Sequence, residues 1–178
     1  MTTEPLYDAI GKTYATARRA DPRIETALQR ALGDARRIVN IGAGAGSYEP
    51  RDRVLAAIDP SPVMLSQRPA AAAPAVLGVA GALPFHDGAF DAAMATLSLH
   101  HWPDWRAGIA ELRRVASRAA ILTFAPSLED ELWLVREYLP EMTRHDEFQF
   151  PTPEAIAAEL GGGRVEVVPV PHDCTDGF

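Results

Sequence analysis

The stretch Ile38-Val39-Asn40-Ile41-Gly42-Ala43-Gly44-Ala45-Gly46-Ser47 restricts the fold of this chain more than any other. Arg37 to Ile41 is apolar and β-branched enough for a central strand of a parallel sheet, buried on both faces. It runs directly into three glycines at alternate positions. Glycine turns sharply and lets a ligand approach the backbone with no Cβ in the way. At the end of the first strand of an open α/β sheet, such a turn lies in the crevice where strand order reverses, the usual place for a nucleotide-like ligand. The spacing is G-x-G-x-G, and Ser47 stands where the pyrophosphate fingerprint has its last glycine. A tight turn that serves packing alone would have the same composition, so the loop has to be weighed with the rest of the chain.

Asp59 supplies the second half of the pattern. It closes an apolar run from Val54 to Ile58 that reads as strand two, which places a carboxylate at one strand tip beside the glycine loop at the other. An acid there is positioned to accept hydrogen bonds from both hydroxyls of a ribose. Asp59 also suits a plain helix-initiating role before Pro60, but that role does not explain its coincidence with the glycines.

The remaining elements alternate. Glu4 to Thr16 has apolar residues on one helical face, and a second helix opens at Asp21-Pro22 and stops at Gly33. After the glycine loop, Pro50 allows only a stunted helix at Tyr48-Glu49. Ser61 caps a short helix from Pro62, Val76 to Val79 is a third strand, and Phe90 to Leu99 is a fourth, ending at His100-His101-Trp102. A helix from Pro103 to Val115 precedes strand five, Ala119 to Ala125. Leu128 to Leu139 and Pro153 to Leu160 read as helices, and Val165 to Val170 as a final strand. Strand–helix alternation with long crossovers predicts an α/β fold, a doubly wound parallel sheet.

Composition bounds the function. A chain of 178 residues, 47% apolar and 23% charged, reads as one globular domain over 1–178, divided by its pattern into a helical cap at 1–33, a strand–helix core carrying the glycine loop at 34–125 and helices with a final strand at 126–178. No run approaches the roughly 18 apolar residues of a membrane span, and the start of the chain lacks the order of a signal peptide, so the expected location is cytoplasmic. Cys174 is the lone cysteine, and His172-Asp173-Cys174 lacks the third and fourth ligands of a metal site, so no metal is expected. The formal net charge of -7 disfavours nucleic acid, and Arg18-Arg19 with Arg23, or Arg36-Arg37, read as solvated helix faces. Abundant arginine and alanine with a single lysine point to a GC-rich bacterial genome.

In combination and order, Val39 to Gly46, Ile58-Asp59-Pro60-Ser61 with Met64, Leu83-Pro84-Phe85 with Asp87, Phe90-Asp91, and Leu99-His100-His101-Trp102 resemble the class I S-adenosylmethionine-dependent methyltransferases, in particular the type 11 group. The resemblance spans roughly Tyr7 to Pro126. It implies a Rossmann-like sheet and S-adenosyl-L-methionine as cofactor, which has no pyrophosphate and so no need of the phosphate-type glycine spacing. It further implies that Asn40, Gly42, Ala43, Gly44 and Gly46 lie against the methionine and ribose portions, with Asp59 on the ribose. Pro60, Met64, Ala80, Gly81, Ala82 and Leu97 then surround the rest of the cofactor. Tyr14 and Arg18 are added from the N-terminal helix, Tyr14 over the sulfonium or simply packing the helix, Arg18 on the carboxylate.

The chain departs from the family in three ways. Asn40 stands where an acid usually holds the cofactor's ammonium group, and Val79 and Gly81 stand where acidic residues commonly meet the adenosine. These changes predict weaker cofactor affinity. The family sheet also ends on an antiparallel strand, for which only a few residues remain after Val170; the sheet is therefore expected to be missing its last antiparallel strand, with an exposed edge open to a homodimer contact.

Methyl transfer from an activated sulfonium needs mainly orientation of the acceptor and removal of a proton if the acceptor carries one. His100 and His101 are the catalytic candidates, either as that base or as hydrogen-bonded strand-end residues. The aromatics between Pro126 and Pro151 suit a small, partly apolar acceptor. Two other classes compete: a noncatalytic cofactor-binding module or truncated fragment, and a nicotinamide-dependent oxidoreductase, which would want the glycine missing after Ser47.

Overall fold

A computed structural model describes residues 19–123 and 151–169, with the side chains of Val54 and Leu55 excepted. The expected helices at Glu4 to Thr16 and Leu128 to Leu139 lie outside the described residues, as do Tyr14, Arg18 and the 172–174 triplet. Helix α1 (Pro22–Leu32) begins as its sequence dictates: Asp21 is the N-cap, its carboxylate accepts from the Arg23 N–H at 2.9 Å, Pro22 occupies the first turn, and Gly33 ends the helix at φ +58°. Strands β1 (Ile38–Ile41), β2 (Val54–Asp59), β3 (Ala75–Leu77), β4 (Ala92–Thr96) and β5 (Ala119–Leu122) follow, with α2 (Pro62–Leu65) after β2, α3 (Trp105–Val115) after β4 and α4 (Pro153–Glu159) beyond β5.

The five strands form one parallel sheet in the order β3-β2-β1-β4-β5. The chain steps outward from β1 through β2 to β3, then crosses back to β4 on the other side of β1. Strand order therefore reverses at β1, the strand that carries the glycines. Because successive side chains on a strand face opposite ways, β1 and β4 feed two cores. Val39, Ile41 and Ala93 pack with Leu112 and Val115 of α3, whereas Ile38, Ala92 and Met94 pack with Leu32 of α1. Ile38, Val39, Ile41 and Met94 are fully buried, each worth about 1.5–3 kcal/mol relative to exposure. Helix α4 adds Ile156 to a third cluster with Leu99 and Ile109.

Two motifs prove to be structural. Asp91 accepts from the backbone N–H groups of Arg36 and Arg37 and from the Arg37 guanidinium at 2.8–3.0 Å, which ties the entry of β1 to that of β4; those hydrogen bonds, from Arg37 first, hold its carboxyl down at about 2. The turn Leu83-Pro84-Phe85 is held from α3: Glu111 accepts from the Leu83 N–H at 2.7 Å, and Arg114 donates to the carbonyls of Phe85 and Leu83 at 2.7 and 3.0 Å and to Asp87 at 2.9 Å.

The structure corrects several expected elements. The fourth strand is shorter than Phe90 to Leu99: Phe90 makes only an isolated bridge to Ala116, and Leu99–His101 is a 3-10 turn. Tyr48-Glu49 forms no helix, because Tyr48 sits at φ +63° with its buried hydroxyl accepting from the Asp21 N–H at 3.1 Å. The final strand expected at Val165 to Val170 is not one in its described part. Residues 164–169 pair with no strand; Val168 packs against Ile24, Leu28 and Tyr48, Glu166 pairs with Arg30 and Arg164, and Val165 and Val167 stay exposed. Pro169 cannot donate to a ladder, and contacts with α1 satisfy the segment instead. Among the described residues every strand pairing is parallel, and β3 and β5 are the sheet edges.

Candidate functional site

The loop after β1 is built on the next strand. The N–H groups of Gly42 and Ala43 both donate to the Ile58 carbonyl, at 2.8 and 2.9 Å, and the Gly46 N–H closes a turn on the Ala43 carbonyl at 2.9 Å. Gly42, Gly44 and Gly46 have φ of +67°, +50° and +90°, a region L side chains rarely adopt. Each is also tightly approached. A Cβ on Gly42 would lie 2.4 Å from Ser98 Cβ, and one on Gly44 would lie 3.1 Å from the methyl of Met64.

Asp59 joins the loop to the next helix. Its Oδ2 accepts from the Gly44 N–H and its Oδ1 from the Ser61 N–H, both at 2.8 Å, while the Ser61 hydroxyl caps α2 by accepting from the Met64 N–H at 3.1 Å. Asp59 is thus both the turn-forming acid and a loop anchor, and it is only 8% exposed.

The end of β4 completes the crevice. Leu97 is a non-glycine residue at φ +52°, a strained geometry of the kind that clusters at functional sites, and its N–H donates to the Leu122 carbonyl at 2.9 Å. Ser98 donates its hydroxyl to the Ile41 carbonyl at 3.0 Å, pulling this end onto the glycine loop. Trp102 then lies between the loop and α3: its Nε1 is 3.7 Å from a Cβ built on Gly42, and its ring packs on Gly108 so closely that a Cβ there would meet it at 2.4 Å. Sequence reasoning singled out neither Ser98 nor Gly108 and took Trp102 only as part of a motif. The signal for Gly108 was a glycine in a helix interior, which signifies close packing.

On the opposite flank the loop after β3 approaches. The Gly78 N–H donates to the Asp59 carbonyl at 3.2 Å, Ala80 is buried near Gly108, and Gly81 lies against Ala107. Val79, Gly81, Ala82 and Pro60 are exposed. The structure therefore gathers Asn40, Gly42, Ala43, Gly44, Gly46, Asp59, Pro60, Met64, Ala80, Gly81, Ala82 and Leu97 at the C-terminal ends of β1 to β4.

His100 and His101 occupy the 3-10 turn beyond Ser98, their rings 3.9 Å apart between centroids. Burial, with the neighbouring His101 ring as a second cause, pushes the His100 imidazole down to about 4, and burial lowers His101 as well. Both rings are therefore neutral at pH 7, the form a general base requires. The unfolded chain takes up a proton near the ordinary histidine value, and the folded one only near 4. Stability is thus expected to fall as pH drops from about 6.5 to about 4, with His100 contributing on the order of 2 kcal/mol after allowance for its partial exposure. Melting curves of the wild type and His100→Phe across that range check this: the variant should lose part of the slope.

Asn40, fully buried on β1, donates its Nδ2 to Glu49 Oε1 at 2.8 Å, and its Oδ1 has no hydrogen-bond partner among the described residues. Glu49 is paired with Arg68 through two hydrogen bonds of 2.9 and 2.8 Å. Neither Glu49 nor Arg68 was singled out from the sequence. Among the described residues no cluster of His, Cys, Asp and Glu converges as a metal site, and no helix is long and apolar enough to cross a membrane.

A methyltransferase-domain profile matches residues 39–124, from β1 to the end of β5. Over those residues the chain carries a methyltransferase domain of the type 11 group. A solved structure from Anabaena variabilis, described as a methyltransferase from an antibiotic biosynthesis pathway, is 28% identical, with 90% of this chain and 70% of that one covered and a TM-score of 0.75. A Thermotoga maritima structure described as an S-adenosylmethionine-dependent methyltransferase shares the fold at 19% identity, with 87% of this chain and 72% of that one covered and a TM-score of 0.62. The [4+2]-cyclase SpnF shares it too, at 21% identity and a TM-score of 0.52 over 62% of this chain and 54% of that one. No curated protein matches the sequence.

A class I methyltransferase domain implies S-adenosylmethionine as methyl donor, and the residues present fit it. The glycine cradle excludes side chains, the Asp59 carboxylate is buried beside it on the Gly44 and Ser61 amides, and among the described residues the buried Asn40 Oδ1 has no hydrogen-bond partner.

Proposed function

We propose that this protein transfers the methyl group of S-adenosyl-L-methionine to a small-molecule acceptor. The observation that carries the reading is the junction of the glycine loop and Asp59 at the strand where sheet order reverses, where the Gly44 N–H donates to Asp59 at 2.8 Å. In this reading Gly42, Ala43, Gly44 and Gly46 back the methionine and ribose portions, and Asp59 receives the ribose hydroxyls. Ala80, Gly81, Ala82 and Leu97 flank the adenine, with Pro60 and Met64 below. Tyr14 and Arg18 would close over the donor from the N-terminal segment. The donor supplies an already activated methyl group, so the protein's work is to exclude water, hold the acceptor and receive its proton. His100 and His101, neutral at pH 7, are the candidates for the last role. The acceptor side falls largely to Pro126 to Pro151 together with the N-terminal segment, and the protein acts in the cytoplasm.

Calorimetry with S-adenosylhomocysteine and NAD tests the ligand, and formation of S-adenosylhomocysteine in the presence of a panel of small hydroxyl, amine and carbon acceptors tests the reaction. Binding of the first ligand alone, with turnover, is the expected result. Preference for NAD would overturn the reading. Binding without turnover would favour a noncatalytic module, since a fold alone does not fix an activity.

A further inference from the structure

Tyr48 lies two residues past the last glycine of the loop, and nothing local explains its conformation. It is a bulky residue at φ +63°, in the left-handed region that such side chains avoid and where glycine sits without strain. The chain uses glycine for this purpose at positions 42, 44 and 46 and then stops doing so. Strain of this kind persists only where the surroundings fix it, so the side chain has to answer to a contact elsewhere.

That contact is with α1. Tyr48 is 4% exposed and packs with Ile24 and Leu28, and its hydroxyl accepts from the Asp21 N–H at 3.1 Å, 27 positions away. Asp21 is the N-cap of α1, and the N–H of an N-cap residue is commonly satisfied by a Glu or Gln at the third helical position, reaching back in a capping box. Here the third helical position is Ile24, which has no polar group to offer. The Tyr48 hydroxyl takes that place from the glycine loop. A phenylalanine would fill the same apolar space, so the specific part of the contact is the hydroxyl and not the ring. The other side of the bond is equally fixed: Asp21 is 1% exposed, and its carboxylate accepts from the N–H, Nε and Nη2 of Arg23 at 2.9, 2.9 and 2.6 Å.

Two parts of the chain meet at this bond. Toward the sheet, Tyr48 is followed by Glu49, whose buried carboxylate accepts from Asn40 of β1 and pairs with Arg68, so the far end of the glycine loop is tied down. Toward the start of the chain, Asp21 comes three residues after Arg18, and three residues of chain reach no farther than about 11 Å. The glycine loop is therefore joined to the point where the N-terminal segment enters the fold.

We propose that Tyr48 is a positioning residue that fastens the N-terminal segment to the glycine loop, so that occupation of the loop by the donor and placement of Arg18 are coupled. The inference rests on the proposed binding of S-adenosylmethionine and adds the residue that joins the two parts of the donor site. Tyr48 acts through Asp21 and not by touching the donor.

The test follows tryptic cleavage of the full chain after Arg18 and the exposed Arg19 by mass spectrometry, with and without S-adenosylhomocysteine, on proteins whose melting and ligand affinity are measured first. At ten times the dissociation constant, cleavage of the wild type should slow about tenfold, since a segment coupled to the site opens only from the unliganded fraction. Tyr48→Phe, at ten times its own dissociation constant, should keep less than about a threefold slowing, because ligand and segment are then uncoupled. Leu28→Val trims the same cluster without touching the hydroxyl and should keep the wild-type ratio. A second measurement needs no variant: hydrogen exchange of the Asp21 amide in the wild type should slow on adding the ligand, together with the Gly44 and Gly46 amides. A wild-type ratio in Tyr48→Phe, an equal fall in Leu28→Val, or an Asp21 amide indifferent to bound ligand would overturn the proposal and leave the proposed function intact. Failure of the wild type to bind S-adenosylhomocysteine would overturn both.

Discussion

Gly42→Ala is expected to lower folding stability by about 2–5 kcal/mol. Two terms add: placing a Cβ in the left-handed region at φ +67° costs roughly 1–2 kcal/mol, and forcing it into a filled space costs roughly 1–3 kcal/mol more. The space is filled by Ser98, whose Cβ and Oγ would lie 2.4 and 2.5 Å from the new atom. Ser98 cannot withdraw cheaply, since it is 8% exposed and its hydroxyl donates to the Ile41 carbonyl. Gly88 provides the internal control: its φ is +64°, but a Cβ there meets nothing within 4 Å, so Gly88→Ala isolates the backbone term. Urea unfolding of both variants measures the difference. Equal destabilisation would show that the contact between the glycine loop and β4 yields without cost.

Asp59→Ala is expected to weaken S-adenosylhomocysteine by about 1.5–3 kcal/mol, roughly ten- to a hundredfold, the range for hydrogen bonds to a charged acceptor. The variant also removes the partner of two backbone amides, Gly44 N–H and Ser61 N–H, so the glycine loop and the start of α2 lose their common anchor. Melting temperature and affinity should therefore fall together. Ser61→Ala separates the two effects: it removes the cap on Met64, at about 1 kcal/mol of stability, and leaves the Asp59 carboxylate in place. Calorimetry on the pair decides the matter, and unchanged affinity in Asp59→Ala would remove Asp59 from the site.

The resemblance rests on several motifs for which the sequence gives no physical reason. Phe90-Asp91 and Leu83-Pro84-Phe85 with Asp87 stand out in the sequence only as marks of the family. In the fold Asp91 clamps the N–H groups that lead into β1, and Asp87 receives Arg114 from α3. Glu49 and Arg68 form a buried pair that the sequence does not announce. Nothing near either residue in the sequence marks it, since they are 19 positions apart and meet only because the chain turns back beneath Gly46. The weaker affinity expected from Asn40 was read from that residue alone, without the carboxylate that the fold sets beside it.

Sequence by itself determined the elements governed by local rules: Asp21-Pro22 starting α1, Gly33 ending it, Ser61 capping α2, and the apolar run that must be buried before three glycines. It also determined the parallel sheet, because strands separated by helix-length crossovers have few other ways to pair. Tertiary structure alone decided where strands stop and which polar groups meet. The fourth strand ends at Thr96 because the Leu97 N–H still reaches β5 while the chain turns to bring Ser98 onto the glycine loop, a long-range demand that no local pattern carries. Residues 164–169 show the same limit: alternating valines suit a strand, but a strand needs a partner of matching register. Here α1 offers Val168 an apolar surface and Glu166 an arginine, so the segment packs on a helix.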